Sequence, residues 1–201
     1  MPYWKRKHTT LAAILSAALT ATLFTAPTHA KELAIWDQLQ GTNPKGYVLL
    51  MRHALAPGVG DPENFNVNDC STQRNLNEEG RQDARDIGQW LQRREVKILR
   101  VESSRWCRAK ETAQLLNIGK VRPNRNLDSL FEESDLLNHP QTANIKKRIQ
   151  SHRNTRGLLV FVGHFVNFQA VAGVSLDSGE GVLIKATPTG EFKVMGYSPK
   201  P

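Results

Sequence analysis

The run Tyr47-Val48-Leu49-Leu50-Met51 passes without a break into Arg52-His53-Ala54. Consecutive apolar residues of this length suit a strand buried on both faces, which belongs in a parallel sheet covered by helices. Ligands of open α/β sheets sit at the carboxyl ends of the strands. The junction therefore places a guanidinium and an imidazole at a binding position. Arg offers a planar fork matched to phosphate oxygens, and neutral His can act as a nucleophile. Two further apolar segments end in similar chemistry. Val96 to Glu102 leads into Ser103-Ser104-Arg105-Trp106-Cys107-Arg108-Ala109, and Gly157 to Gly163 leads into His164. Three strand ends so equipped are what a phosphoryl-transfer pocket with a histidine nucleophile needs.

Helical spacing fills the gaps between these strands. Leu33, Trp36 and Leu39 predict a short helix over 32–40, and Ala84, Ile87 and Leu91 a longer one from Glu78 to Arg94. Asn77 suits the N-cap, and Glu78 and Glu79 the positive end of the helix dipole. A helix from Trp106 to Leu116 follows the second strand, with Ser103 or Ser104 as its cap. Ile145 and Ile149 mark a helix over 142–153, and Phe165, Phe168 and Val171 one after the third strand. Pro123 and Asn124 read as loop, and 127–137 is ambiguous. Gly181 to Ala186 and Phe192 to Gly196 pair as a terminal hairpin through Pro188-Thr189-Gly190. The pattern predicts a three-layer α/β/α fold with a mostly parallel central sheet and a C-terminal antiparallel hairpin. Residues 54–77 form a long polar loop, a length that marks function or mobility.

The N-terminus reads as an export signal over 1–30. Lys5, Arg6 and Lys7 precede an uncharged Ala/Leu-rich stretch from Leu11 to Phe24, and Thr28-His29-Ala30 gives a cleavage site after Ala30. The alternative is a retained anchor, which the interrupting Ser and Thr and Pro27 disfavour. Residues 31–201 then form one domain, placed in the periplasm or secreted, with no stable membrane insertion after cleavage. The formal charge of +8 falls to +5 without the three signal cations. That balance fits small anionic ligands. The basic residues are dispersed, with no aromatic-interleaved stripe for nucleic acid. Two cysteines in an exported chain suggest one disulfide, Cys70–Cys107, the alternative being two unrelated buried thiols. No Cys/His spacing calls for zinc, so neither a metal nor another cofactor is expected. The oligomeric state is not legible.

The motifs resemble those of the histidine phosphatase superfamily, the phosphoglycerate mutase-like clan. Arg52-His53-Ala54 matches its Arg-His-Gly opening, and Ser104 to Ala113 its Ser-x-x-x-Arg-Ala-x-x-Thr-Ala signature. Gly163-His164 matches its third strand end, and Leu76-Asn77-Glu78-Glu79-Gly80 its step into the first long helix. The chain is similar to the small exported branch, which includes a lipopolysaccharide-core heptose phosphatase. Ala54 in place of Gly and Arg105-Trp106 in place of Pro-Leu depart from the common pattern. The resemblance implies a phosphatase of small phosphorylated substrates, with His53 as nucleophile and with Arg52, Arg108 and His164 on the phosphoryl oxygens. It also implies a carboxylic acid that protonates the leaving oxygen. By position this is Glu133, with Glu132 and Asp69 as alternatives.

Arg74, Arg105 and Asn167 are candidate substrate contacts. Each has a plainer reading: a loop salt bridge, a rim cation and a turn cap. Trp106 reads as packing, and His8, His29, His139 and His152 carry no motif. Arg93-Arg94 and Lys146-Lys147-Arg148 read as solvated helix faces. A binding protein that uses the same cradle for anionic sugars is the alternative function. A metal held by His53 and His164 lacks carboxylate or thiolate partners.

Overall fold

A computed structural model describes residues 28–198, with side chains from residue 34 onward. The expected export signal lies outside the described residues, apart from its last three positions. Those open the first helix, α1 (Thr28–Leu39), which starts earlier than the apolar spacing suggests.

Six strands form one sheet: β1 (Tyr47–Arg52), β2 (Ile98–Ser103), β3 (Val121–Pro123), β4 (Leu158–Gly163), β5 (Gly181–Ala186) and β6 (Phe192–Tyr197). Their order is β3-β2-β4-β1-β5-β6. The β1–β4, β2–β4 and β2–β3 pairings are parallel, and β5 and β6 close the other edge antiparallel. This is the expected α/β architecture. The strand β3 stands where a plain loop was expected. Its three residues are too few to carry a period and they end in a proline, which is tolerated at a sheet edge.

The helices α2 (Glu78–Arg93), α3 (Cys107–Leu115), α4 (Pro140–His152) and α5 (Phe165–Ala172) complete the layers. Alternation along β1 and β4 sorts the core into two. Leu49, Met51, Val160 and Val162 pack with Trp36 of α1, Ile87 of α2 and Ala109 of α3. Val48, Leu50, Leu159 and Phe161 pack with Ile149 of α4 and Phe168 of α5. Both faces are covered, which is why these strands read as continuous apolar runs. The N-cap of α2 is Asn77, whose side chain accepts from the Gly80 amide. A β-carbon at Gly80 would run into the Leu55 carbonyl, so glycine lets the loop after β1 lie directly on this helix. One expectation about caps fails, and one cap was not foreseen. Neither Ser103 nor Ser104 caps α3, whose N-cap is Trp106; Ser104 instead accepts the Trp106 amide at 3.2 Å. His139 caps α4 by accepting from the Gln141 amide.

Cys70 and Cys107 are joined in a disulfide that spans 37 residues of sequence. It ties a 3-10 turn of the long loop, Cys70–Thr72, to the first turn of α3. Closing a loop of this size restricts the unfolded chain by about 3–4 kcal/mol. Reduction should therefore lower Tm by roughly 10 °C, taking a few degrees per kcal/mol for a domain of this length. Thermal unfolding with and without reductant checks this; an unchanged Tm would contradict it.

Candidate active site

The sheet order places the ends of β2, β4 and β1 side by side. The His53 amide donates to the Gly163 carbonyl and the Ser104 amide to the Val162 carbonyl, both at 2.9 Å. Three separate sequence motifs are thereby stitched to one edge of the sheet. Above it opens a cavity of about 720 Å³, lined by Arg52, His53, Arg74, Arg108 and His164 among others. This volume suits a small-molecule ligand.

His53 is 2% exposed. Its Nδ1 lies 2.8 Å from the Ala54 carbonyl oxygen, which can only accept, so Nδ1 carries the proton and Nε2 keeps its lone pair. Burial pushes the His53 pKa down; the Ala54 carbonyl opposes this, and Arg108, Arg52 and Arg74 add to it, leaving it at about 3. The ring is neutral at physiological pH, with Nε2 unprotonated. The turn that holds it is anchored in turn. The Ala54 amide donates to Thr112 Oγ1 at 3.0 Å, and Thr112 donates to the Arg108 carbonyl at 2.7 Å. Among the described residues, only Glu95 and Asn117 are non-glycine residues with positive φ. Ala54 therefore needs none of glycine's freedom, and its departure from the usual glycine is accommodated without strain.

His164 stands edge-on to His53, with ring centroids 5.4 Å apart. Its Nε2 lies 3.0 Å from Ser104 Oγ. Burial, with His53 and the three arginines, drives its pKa well down.

The arginines differ in what holds them. Arg52 Nη1 donates to the Leu176 carbonyl at 3.1 Å, and the guanidinium lies 5.0 Å from the centre of the Phe165 ring. Arg108 is nearly buried, and both of its terminal nitrogens meet Asp61, at 2.7 and 3.0 Å. The Nε atoms of Arg52 and Arg108 are buried with no hydrogen-bond partner among the described residues. Buried donors are paired as a rule; among the described residues Arg94 Nε and Gln150 Nε2, away from the cavity, are unpaired as well. Arg74 holds the loop instead: its Nε donates to the Gly60 carbonyl at 2.8 Å and its Nη1 to the Ala56 carbonyl.

Other candidates fall outside the pocket. Arg105 turns away to Asp128, with Nη2 2.6 Å and Nε 2.7 Å from Oδ2, and does not line the cavity. Asn167 is fully buried; its Nδ2 donates to the Asp128 carbonyl and its Oδ1 accepts from the Leu130 amide, which fixes the segment below the rim. Asp69 is exposed and caps the 3-10 turn. Glu132 and Glu133 do line the cavity, beside Ser129 and Phe131.

Sequence reasoning missed Asp61, which sits between Gly60 and Pro62 in the long loop. The signal was an acid between a glycine and a proline, close behind Arg52-His53 in the chain. It also understated Trp106. This ring stacks on Phe65 at 4.8 Å, meets His164 edge-on at 5.8 Å and donates to Asp61 at 3.0 Å. It packs, but as a wall of the cavity.

Among the described residues no three His, Cys, Asp or Glu side chains cluster as a metal site, and no helix is long and apolar enough to cross a membrane.

Comparison with known proteins agrees with this fold. The protein histidine phosphatase SixA complexed with tungstate superposes with a TM-score of 0.58 at 17% identity, over 76% of this chain and 96% of its own. Open reading frame Rv3214 of Mycobacterium tuberculosis superposes with a TM-score of 0.58 at 16% identity, over 77% and 97%. A phosphoserine phosphatase of Entamoeba histolytica superposes with a TM-score of 0.56 at 13% identity, also over 77% and 97%. These likenesses establish the fold. No curated protein sequence matches. The family model for the histidine phosphatase superfamily (branch 1) matches residues 48–156, from β1 to the approach of β4 and more than half of the chain. With the fold, the strand-end motifs and this match in agreement, the chain belongs to the histidine phosphatase superfamily.

Proposed function

We propose that the protein is an exported, metal-independent phosphomonoesterase that works through a phosphohistidine at His53. Family membership supports phosphatase activity in general. The neighbours named as protein histidine and phosphoserine phosphatases point to small phosphorylated groups as substrates. The observation that carries the reading is the state of His53: neutral, with Nδ1 held by the Ala54 carbonyl, beneath two arginines with unpaired buried donors.

In this reading Arg52 and Arg108 neutralise the phosphoryl oxygens with charge-assisted hydrogen bonds. Nε2 of His53 attacks phosphorus. The cationic phosphoimidazole is stabilised through Nδ1–H on the Ala54 carbonyl. His164, held by Ser104, stabilises the oxygens as charge builds in the transition state. Export is supported by the signal-like sequence of residues 1–30 and by the Cys70–Cys107 disulfide, a bond that persists in oxidising compartments.

The test is hydrolysis of p-nitrophenyl phosphate across pH 4 to 8 in the presence of EDTA. Turnover should be undiminished by EDTA. Because the pKa of His53 is depressed, the ring stays neutral throughout this range, and its protonation should impose no acid limb above about pH 4. Activity abolished by EDTA and restored by a divalent cation would overturn the metal-independent mechanism.

A further inference from the structure

Transfer of a phosphoryl group to His53 leaves an ester oxygen that needs a proton. Of the carboxylates lining the cavity, Glu63, Glu132 and Glu133 are exposed. Asp61 is different. Its side chain is 15% exposed and all its interactions lie within the site. Oδ1 accepts from Arg108 Nη1 at 2.7 Å and from the Arg74 amide at 3.1 Å. Oδ2 accepts from Arg108 Nη2 and from Trp106 Nε1, both at 3.0 Å. The arginine with an orphaned buried Nε therefore already carries a carboxylate on its two outer nitrogens.

We propose that Asp61 is the general acid–base residue of the reaction, charged with its proton by the arrival of substrate. The assignment rests on the phosphatase reading above. In the free protein, burial pushes the Asp61 carboxyl up, but the hydrogen bonds and charge of Arg108, with the Arg74 amide and Trp106, outweigh it and hold the group ionised. A phosphoryl group reaching Arg108 puts a second anion on the same guanidinium. Two anions sharing one site favour protonation of one of them. Asp61 thus becomes an acid only when there is an ester to cleave.

The proton balance closes. A phosphomonoester monoanion passes its proton to Asp61 as its oxygens settle on Arg52 and Arg108. The bond from His53 Nε2 to phosphorus forms while the ester P–O bond breaks, and Asp61 gives the proton to the departing oxygen. In the second half a water oxygen bonds to phosphorus, the Asp61 carboxylate takes a proton from that water, and the P–N bond breaks. Asp61 returns that proton to the departing orthophosphate, which leaves as the monoanion, so that neutral His53 and ionised Asp61 are both restored. Arg74 is a positioning residue here, since it holds the 56–60 segment that carries Asp61.

Two esters separate this role from a bracing one. The leaving oxygen of p-nitrophenyl phosphate departs as a stable anion, whereas that of glycerol phosphate requires a proton. Asp61→Asn should lower kcat on glycerol phosphate by at least about 100-fold, the usual range for a lost acid, and on p-nitrophenyl phosphate several-fold less. Inhibition by orthophosphate should be no weaker than in wild type, because the competing anion is gone. Equal losses on both esters with weaker orthophosphate inhibition would make Asp61 a brace for Arg108 and overturn the proposal. So would the same leaving-group split in Glu133→Gln and not in Asp61→Asn. Wild-type protein that hydrolysed neither ester would overturn the phosphatase reading itself, and this assignment with it.

Discussion

Replacing His53 by alanine is expected to lower kcat for a phosphomonoester by at least about 10⁴-fold, as loss of a nucleophile does in enzymes that form covalent intermediates. The reason lies in how the ring is prepared. Burial and three nearby arginines keep it neutral, and the Ala54 carbonyl fixes the proton on Nδ1. Arg52, Arg74 and Arg108, the other basic groups of the cavity, are cations with no comparable lone pair. His164 is the nearest alternative, and its Nε2 is already engaged with Ser104. Orthophosphate should still bind the His53→Ala variant, since Arg52 and Arg108 remain. A variant with near wild-type kcat would remove His53 from the chemistry.

The second large effect is expected at Arg108. Arg108→Ala should lower kcat/KM by about 10³-fold, the upper range for removing one donor of a transition-state oxyanion. The loss has two parts. One is the missing charge at the phosphoryl oxygens. The other is Asp61, which loses both of its contacts with the guanidinium and stays in a mostly buried position. Stripping the partner from a buried ion pair costs about 3–5 kcal/mol, so Tm should fall as well. Arg108→Lys keeps the charge and separates the parts. A point charge cannot reproduce the two-pronged contact with Asp61, so this variant should recover much of the stability and less of the activity. Steady-state kinetics and thermal unfolding on both variants check this. Wild-type kcat/KM in Arg108→Ala would show that phosphate is bound elsewhere.

The core of this site was legible because each part is announced by a hydrophobic strand. Tyr47–Met51 and Leu158–Gly163 are buried on both faces, and that burial leaves an apolar run whose end can be read directly from the chain. Arg52, His53 and His164 follow from it, and Arg108 follows from the start of α3. The walls were less legible. Asp61, Phe65 and Trp106 meet across long stretches of sequence through side-chain geometry, with no period to reveal them. Arg105 carried two readings, a substrate contact and a rim cation; Asp128, from the segment after β3, takes its guanidinium, and the residue does not line the cavity. The short strand β3 was invisible for want of length, and the extension of α1 to Thr28 runs past the apolar spacing that marked the helix.

The most direct measurement is to trap the covalent intermediate. Protein mixed with p-nitrophenyl phosphate, quenched under alkaline conditions that preserve phosphorus–nitrogen bonds and digested, should carry one phosphoryl group on the peptide containing His53, lost on brief acid treatment and absent from His53→Ala. Sustained turnover with no phosphorylated peptide, or with the group on another residue, would contradict the account.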